Sequence, residues 1–345
     1  MVSATTAYAP SFVSSRHSLA LLRVRRTVGR TGFILGRSIA IFVPVFLLAT
    51  FVTFALRSIS GLSPARIQLG EAATPEAVHR IEHYWGLDRS FLSQYWSWFD
   101  GVLHGDLGRS WSNGADVSRL IGDGLTISLS VATLALVIGI VFGFALGTLA
   151  AVRRTTWVDR AITAVLTVFA VMPPFVVGIV LVEVFAVGLN WFPSAGFVPV
   201  AAGASPWFAH LLLPALALSF DTVADVARQL RSGLIGAYQE NYVTGAVVRG
   251  LSDRRIFVRH VLRNGAGPAL TVLGMKFPAL IGGSVVTEWI FGLQGFGRFA
   301  NDSAQAGDVP SVQGVLVVSI VLVVTFNLIV NVVLGKVTPA SQRGV

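Results

Sequence analysis

Six long apolar runs, separated by polar and charged stretches, dominate the pattern along the 345-residue chain. The runs cover residues 39–56, 125–150, 161–187, 211–230, 268–291 and 312–334. Each is long enough for an α-helix to cross the hydrocarbon core of a bilayer, which takes about 20 residues. The pattern therefore predicts an all-α, polytopic membrane protein with about six transmembrane helices. The third run contains Pro173 and Pro174, so we expect it to bend or break near its middle.

The polar stretches between the runs divide the chain into five predicted parts. Residues 1–36 form a basic cytoplasmic extension, 37–57 the first transmembrane helix, 58–122 an extracytoplasmic helical segment, 123–337 the transmembrane core, and 338–345 a cytoplasmic tail. The first run lacks the short apolar core and cleavage site of a secretory signal, so we expect it to be retained.

Residues 58–122 carry many acidic and aromatic side chains, and the stretch is long enough to hold helices of its own. Thr74, Pro75 and Glu76 are a strong helix start, and Gly86 is expected to end that helix. A second predicted helix, FLSQYWSWFDGVL, places an aromatic stripe along one face. Such a stripe suits the membrane interface.

A basic loop, residues 238–264, interrupts the apolar core. Its sequence predicts a helix, a turn and a second helix, because Gly250 can break the first helix and Ser252 can cap the second. Tyr242, Ala246 and Arg249 are expected near one face of the first arm. A short basic hairpin at the membrane surface suits docking against another protein.

Composition supports a membrane protein, with 54% hydrophobic and 12% charged residues. The formal net charge of +9 would suggest a nucleic-acid partner in a soluble protein, but membrane proteins gather Lys and Arg in cytoplasmic loops. With six crossings, 18 of the 26 basic residues fall in the cytoplasm. We therefore expect both termini in the cytoplasm, contact with membrane lipid, and no nucleic-acid partner.

The chain offers little chemistry of its own. It has no cysteine, its six histidines lack metal-ligand spacing, and it contains neither a GxxxxGK[ST] phosphate loop nor a GxSxG elbow. We expect no metal site, no cofactor and no catalytic residues in this chain.

Ionisable residues within the apolar runs indicate a substrate pathway, since each is costly at mid-membrane. The candidates for this pathway are Lys276, Asp221, Asp225 and Glu288. Lys276 either faces the central cavity and attracts an acidic group of the substrate, or forms an ion pair with Asp221, Asp225 or a partner subunit. Glu288 and Glu183 lie near the outer ends of their runs, where we expect them to be hydrated. Gly139, Gly143 and Gly147 share one helical face, either for helix packing or for a passing substrate.

Several motifs, in one order along residues 38–339, resemble a known family. They are NYVTGAVVRGLSDRRIFVRHVLRN in the basic loop, GLD at 86–88, QY at 94–95, GDLGRS at 105–110, WVDR at 157–160, LLLPALAL at 211–218 and VQGV at 312–315. Together they resemble the membrane permease of a binding-protein-dependent ABC importer, of the first permease type in the oligopeptide, dipeptide and nickel uptake branch.

This resemblance implies the type I ABC importer permease fold in a bacterial cytoplasmic (inner) membrane. It implies a second homologous permease subunit, two ATPase subunits or domains carrying ATP and Mg²⁺, and an extracytoplasmic substrate-binding protein. Ten residues of the basic loop are then expected to couple to the ATPase: Tyr242, Val243, Ala246, Arg249, Gly250, Leu251, Arg254, Arg255, His260 and Arg263. Four are expected to contact the binding protein: Asp88, Tyr95, Asp106 and Arg109.

The expected cargo is a dipeptide or oligopeptide, with nickel chelates and haem-like compounds as alternatives served by similar permeases. A secondary transporter driven by an ion gradient is a further alternative. It predicts inverted repeats with paired broken helices, which the spacing of the runs does not show. An intramembrane enzyme would need a catalytic pair or a metal triad within the runs.

Overall fold

The structure is a computed structural model that describes residues 42–56, 59 and 63–337. The chain divides into two compact units, Met1–Leu48 and Ala49–Val345. The predicted extension 1–36, the first residues of the predicted first helix and the tail 338–345 lie outside the described residues.

The described part of the chain is helical. Helix α1 spans Phe42–Leu56, followed by α2 (Pro64–Leu69), α3 (Pro75–Tyr84) and α4 (Phe91–Leu103). The predicted start of α3 is confirmed, because Thr74 caps it through the amide of Ala77 and Pro75 occupies its first turn. Gly86, with φ of +70°, follows its end. Helix α4 matches the predicted FLSQYWSWFDGVL helix.

The long helices carry the core of the fold. They are α5 (Val117–Val152), α6 (Trp157–Val171), α7 (Pro174–Leu181) with a π-helical extension Val182–Gly188, α8 (Ala204–Tyr238), α12 (Gly267–Ile290) and α14 (Val309–Val337). Between α8 and α12 lie α9 (Asn241–Val248), α10 (Asp253–Ile256), a π turn (Phe257–Val261) and α11 (Leu262–Gly265). Helix α13 (Phe296–Gln305) precedes α14.

Four of the described helices, α5, α8, α12 and α14, are long and apolar enough to cross a membrane. Helix α6 and the α7 segment pass the same test only together, and they meet at a bend of 101°. The predicted break at Pro173 and Pro174 is thus confirmed, because a proline cannot donate the backbone hydrogen bond that would continue α6. Helix α1 is a shorter apolar helix within the described residues.

Helix α5 packs along α8 through the predicted glycine face. A Cβ atom at Gly143 would come within 2.7 Å of Val226, and one at Gly147 within 2.7 Å of the Ala227 carbonyl oxygen. Gly139 faces Thr222 in the same way. The helix-packing interpretation of these glycines is confirmed, since small residues let two backbones approach closely. This face is buried and does not line a path.

Candidate functional site

The basic loop 238–264 folds as two helical arms joined by a sharp turn, as predicted; we call it the basic hairpin. Helix α9 ends at Val248, and Gly250 has φ of +73°, a conformation that glycine adopts without strain. The Gly250 amide donates to the Val247 carbonyl oxygen at 2.8 Å. Ser252 stands at the N-cap of the second arm, although within the described residues its hydroxyl makes no capping hydrogen bond.

The inner face of the basic hairpin is part of the protein's own core. Val243 and Ala246 are buried, and they cluster with Ile256 and Val261 of the second arm and with Leu234 of α8. The prediction that Val243 and Ala246 contact an ATPase is corrected, because side chains buried in this way present no surface to a partner. They hold the two arms together and against α8.

The outer face of the basic hairpin carries the other predicted residues. Five of them are exposed, namely Arg249, Gly250, Arg254, Arg255 and Arg263. Three are half-buried, namely Tyr242, Leu251 and His260. Burial raises the pKa of the Tyr242 hydroxyl above its ordinary value.

A positively charged groove of about 530 Å³ follows the second arm. It is lined by Ser252, Val258 and four arginines, which are Arg254, Arg255, Arg259 and Arg263. Within the described residues none of these arginines forms an ion pair. At the tip, Val248 is 82% exposed, a feature that the sequence reasoning missed. The signal was present as two adjacent valines, Val247 and Val248, shortly before the helix-breaking Gly250.

A charged cluster lies between α8 and α12. The Lys276 Nζ atom contacts Asp221 at 2.5 Å and Asp225 at 2.6 Å, and Asp225 also contacts Arg228 at 2.5 Å. The ion-pair alternative for Lys276 is therefore confirmed, with both aspartates as partners. The Lys276 side chain is only 15% exposed, whereas Asp221 is 46% exposed. The exposed charges of this cluster are the Asp221 carboxylate and the Arg228 guanidinium, whose side chain is 42% exposed.

A second ion pair, which the sequence reasoning missed, joins α6 to α8. Arg231 donates from Nε and Nη2 to the two carboxylate oxygens of Asp159, at 2.7 and 2.8 Å. Asp159 is buried and also accepts from the Thr155 amide at 3.1 Å. Because a bidentate guanidinium contact fixes both distance and angle, this pair holds the start of α6 to the end of α8.

Glu288 is a buried anchor. The prediction that it is hydrated is wrong, because it is 1% exposed and its carboxylate accepts three hydrogen bonds from the chain itself. The donors are the hydroxyls of Ser128 at 2.5 Å and Ser284 at 2.6 Å, and the Arg298 amide at 2.7 Å. The last contact caps the N-terminus of α13, where a negative charge is favourable. Glu288 therefore joins α5, α12 and α13 and does not line a pathway.

We expect Glu288→Ala to lower the thermal unfolding midpoint of the purified chain by several degrees, because three hydrogen bonds to the Glu288 carboxylate are lost. Glu288→Gln keeps one acceptor oxygen and should have a smaller effect. Glu183→Gln, at an exposed position, is the matched control and should leave the midpoint unchanged. Equal midpoints for Glu288→Ala and the wild type in a detergent-solubilised sample would contradict this anchoring role.

Asp308 performs a similar task for the GDLGRS motif. It is buried, accepts from the Ser110 hydroxyl at 2.5 Å and the Trp111 amide at 3.0 Å, and also accepts from Ser311. This carboxylate thus fixes the loop before α5 to the start of α14. Ser110 and Asp308 are nearly 200 residues apart, so no local pattern indicates their contact.

The four predicted contacts for a binding protein separate into two groups. Asp88, Asp106 and Arg109 lie at the surface, and a hydrogen bond from His83 lowers the pKa of Asp88 below its ordinary value. Tyr95 is corrected, because it is 5% exposed and its hydroxyl lies 3.0 Å from that of Thr50. Its ring packs edge-on against Phe51 and Phe54 of α1, so it serves packing.

Comparison with known proteins gives two family matches. The family model described as "Binding-protein-dependent transport system inner membrane component" matches residues 139–342. A model for the N-terminal part of such membrane components matches residues 31–132. Together they cover the long helices, the basic hairpin and the segment between α1 and α5.

Relatives of similar length support the same family. A putative peptide transport system permease protein of Brucella abortus is 36% identical over 88% of this chain and 96% of its own length. A probable peptide ABC transporter permease of Sinorhizobium fredii is 33% identical over 89% and 98%, and the glutathione transport system permease protein GsiC of Escherichia coli K12 is 29% identical over 90% and 98%.

A solved structure supports the fold. One chain of the MetNI methionine ABC transporter, in an inward-facing conformation, is similar with a TM-score of 0.54 at 16% identity. The match covers 64% of this chain and 98% of that one. The all-α permease fold implied by the resemblance is confirmed, and this chain belongs to the family of inner membrane components of binding-protein-dependent transport systems.

Proposed function

We propose that this chain forms the translocation pathway for peptides in an ATP-driven, binding-protein-dependent importer and couples to ATPase subunits through residues 238–264. The observation that carries the proposal is the basic hairpin, with four arginines free of ion pairs in the described structure and an exposed valine at its tip. A chain without a phosphate loop needs such a surface if a separate ATPase is to drive its conformational change.

The coupling role rests on rigidity as well as on charge. The buried inner face ties the basic hairpin to the last turns of α8, so a displacement of the hairpin moves a 35-residue helix. That helix packs on α5, α6 and α12, and it carries Asp221 and Asp225. Closure of two ATPase subunits, each with ATP and Mg²⁺, would thereby displace α8 and the charged cluster that it carries within the membrane.

Membership of the family supports the proposed partners. We propose a second homologous permease subunit, because Asp221 is half-exposed within a membrane helix and needs a water-filled cavity or a protein surface opposite it. The segment 58–122 faces the substrate-binding protein, with Asp88, Asp106 and Arg109 at its surface. Residues 1–36 and 338–345 lie in the cytoplasm with the basic hairpin, in keeping with the inward bias of Lys and Arg.

Peptides are the cargo that the relatives favour. Relatives from Brucella and Sinorhizobium are named peptide permeases, and the Escherichia coli relative is named a glutathione permease. Nickel chelates or haem-like compounds are the second candidate cargo, and a gradient-driven secondary transporter is the alternative mechanism. The described residues hold no group of three or more His, Cys, Asp or Glu side chains that could ligate a metal.

The proposal is tested by reconstituting the permease pair with its ATPases and binding protein in liposomes and measuring uptake of a labelled tripeptide. Uptake should require ATP hydrolysis and remain in the presence of ionophores. Loss of uptake on ionophore addition at constant ATP would instead support the secondary transporter.

We expect the charge-reversal pair Arg254→Glu and Arg255→Glu to lower ATP-driven uptake by tenfold or more. Each substitution replaces a charge-assisted contact with repulsion, and one such contact contributes about 1.5 to 3 kcal/mol. The matched control is Arg153→Glu with Arg154→Glu, an adjacent exposed pair between α5 and α6 with the same change in charge. Equal uptake by the two double variants would contradict docking through the basic hairpin.

A further inference from the structure

A concave site is formed mainly by the segment between α1 and α5, apart from the basic hairpin and the charged cluster. We call it the aromatic cleft; it has a volume of about 640 Å³ and lies among α3, α4, the loop before α5 and the start of α14. This volume is within the range of about 300 to 1,000 Å³ that is usual for small-ligand sites. Buried Asp308 fixes the loop that forms one side, so the cleft has a rigid border.

Aromatic rings form one wall of the aromatic cleft. Trp85, at the end of α3, stacks on Trp111 of the loop with ring centroids 4.7 Å apart and planes inclined by 11°. Tyr84 lies beside them and is 84% exposed. Such a wall can cover an apolar or aromatic side chain of a ligand.

The charges of the aromatic cleft are of one sign. Arg89 and Arg109 line it, and no aspartate or glutamate does. This is unusual for its surroundings, because residues 63–123 contain eight acidic and five basic side chains. Neither arginine forms an ion pair within the part of the chain that the structure describes. The Arg89 side chain lies over Gly86, where a Cβ atom would come 3.5 Å from its Nε atom.

We propose that the aromatic cleft binds the C-terminal carboxylate of a short peptide, with the apolar last side chain against Trp85 and Trp111. Two guanidinium groups without a carboxylate partner select an anion, and a planar carboxylate matches their hydrogen-bonding geometry. The concave shape and the aromatic wall favour a small ligand over a flat protein surface. The inference rests on the proposed function and adds a peptide site that is formed mainly by the segment between α1 and α5.

The test uses the full chain in lipid nanodiscs, with the tripeptide Ala-Leu-Phe and its C-terminal amide as probes in a calorimetric titration. The free acid should bind at least tenfold more tightly than the amide, because the amide removes the charge that the two arginines select. Arg89→Gln with Arg109→Gln should weaken binding of the acid by tenfold or more and abolish the preference over the amide. Arg66→Gln with Arg80→Gln, two exposed arginines outside the cleft, is the matched control and should bind as the wild type does.

Equal binding of acid and amide by the wild type would overturn the proposal, and so would the absence of binding at millimolar concentrations. The comparison of acid with amide needs no variant, so it stands even if the double variant fails to fold. The titration contains no ATPase, so it measures peptide binding separately from transport. A negative result for one therefore does not imply a negative result for the other. Transport of a tripeptide without binding at the aromatic cleft would overturn this inference alone. The same holds if the aromatic cleft binds the substrate-binding protein and does not bind the peptide.

Discussion

Gly250→Pro is expected to lower ATP-driven uptake at least tenfold while the chain still reaches the membrane in normal amounts. Gly250 has φ of +73°, whereas proline requires about −65°, and proline also loses the amide that donates to Val247. The turn of the basic hairpin would open, and its two arms would no longer meet an ATPase together. Uptake and ATP hydrolysis in reconstituted liposomes measure this, and hydrolysis should persist without transport.

The matched control for this variant is Gly250→Asn. No atom lies within 4 Å of the position that a Cβ atom would take at Gly250, so a side chain fits and only the backbone conformation matters. Asparagine tolerates the left-handed region better than most residues, and we expect it to retain most of the uptake. Normal transport by Gly250→Pro would refute the coupling role of the turn.

Lys276→Met is expected to remove most of the folded protein from the membrane fraction. The substitution keeps the length of the side chain but leaves Asp221 without its partner and Asp225 with Arg228 alone. Breaking a buried ion pair costs about 3 to 5 kcal/mol, and the partial exposure of both aspartates reduces this to about 2 to 3 kcal/mol here. Fluorescence-detected size-exclusion chromatography and the thermal midpoint measure the loss.

The double variant Lys276→Met with Asp221→Asn tests whether charge is the cause. It removes one charge of each sign, and we expect it to recover much of the folded protein. Arg228→Met, at a more exposed position of the same cluster, should have a small effect. A Lys276→Met variant as stable as the wild type would contradict the ion-pair account and leave substrate contact as the role of this lysine.

The helices and the basic hairpin could be predicted because their signals are local. Apolar runs mark α5, α8, α12 and α14, two prolines mark the bend after α6, and Gly250 marks the turn. Each follows from the chemistry of a few neighbouring residues. The aromatic stripe of α4 was also visible, but only its packing against α1 shows that Tyr95 is buried.

The contacts of the buried carboxylates could not be predicted, because they join residues that are far apart in the sequence. Glu288 meets Ser128, 160 positions earlier, and Asp159 meets Arg231, 72 positions later. A carboxylate near the end of an apolar run has the same local sequence whether it is hydrated or capped by serines. Likewise, Val243 and Ala246 occupy the inner face of the basic hairpin, which a helical pattern cannot distinguish from its outer face.

The bend of 101° between α6 and α7 bears on the number of times that the chain crosses the membrane. If α6 and α7 together cross the membrane once, α8 then crosses back. Residues 238–264 and residues 153–160 then lie on the same side of the membrane. Counted as a loop that re-enters the same side, α6 and α7 would place the seven arginines between Arg228 and Arg263 across the membrane from those at 153–160. The inward preference of arginine favours the first count. Two adjacent prolines therefore bear on the sidedness of every residue that follows them.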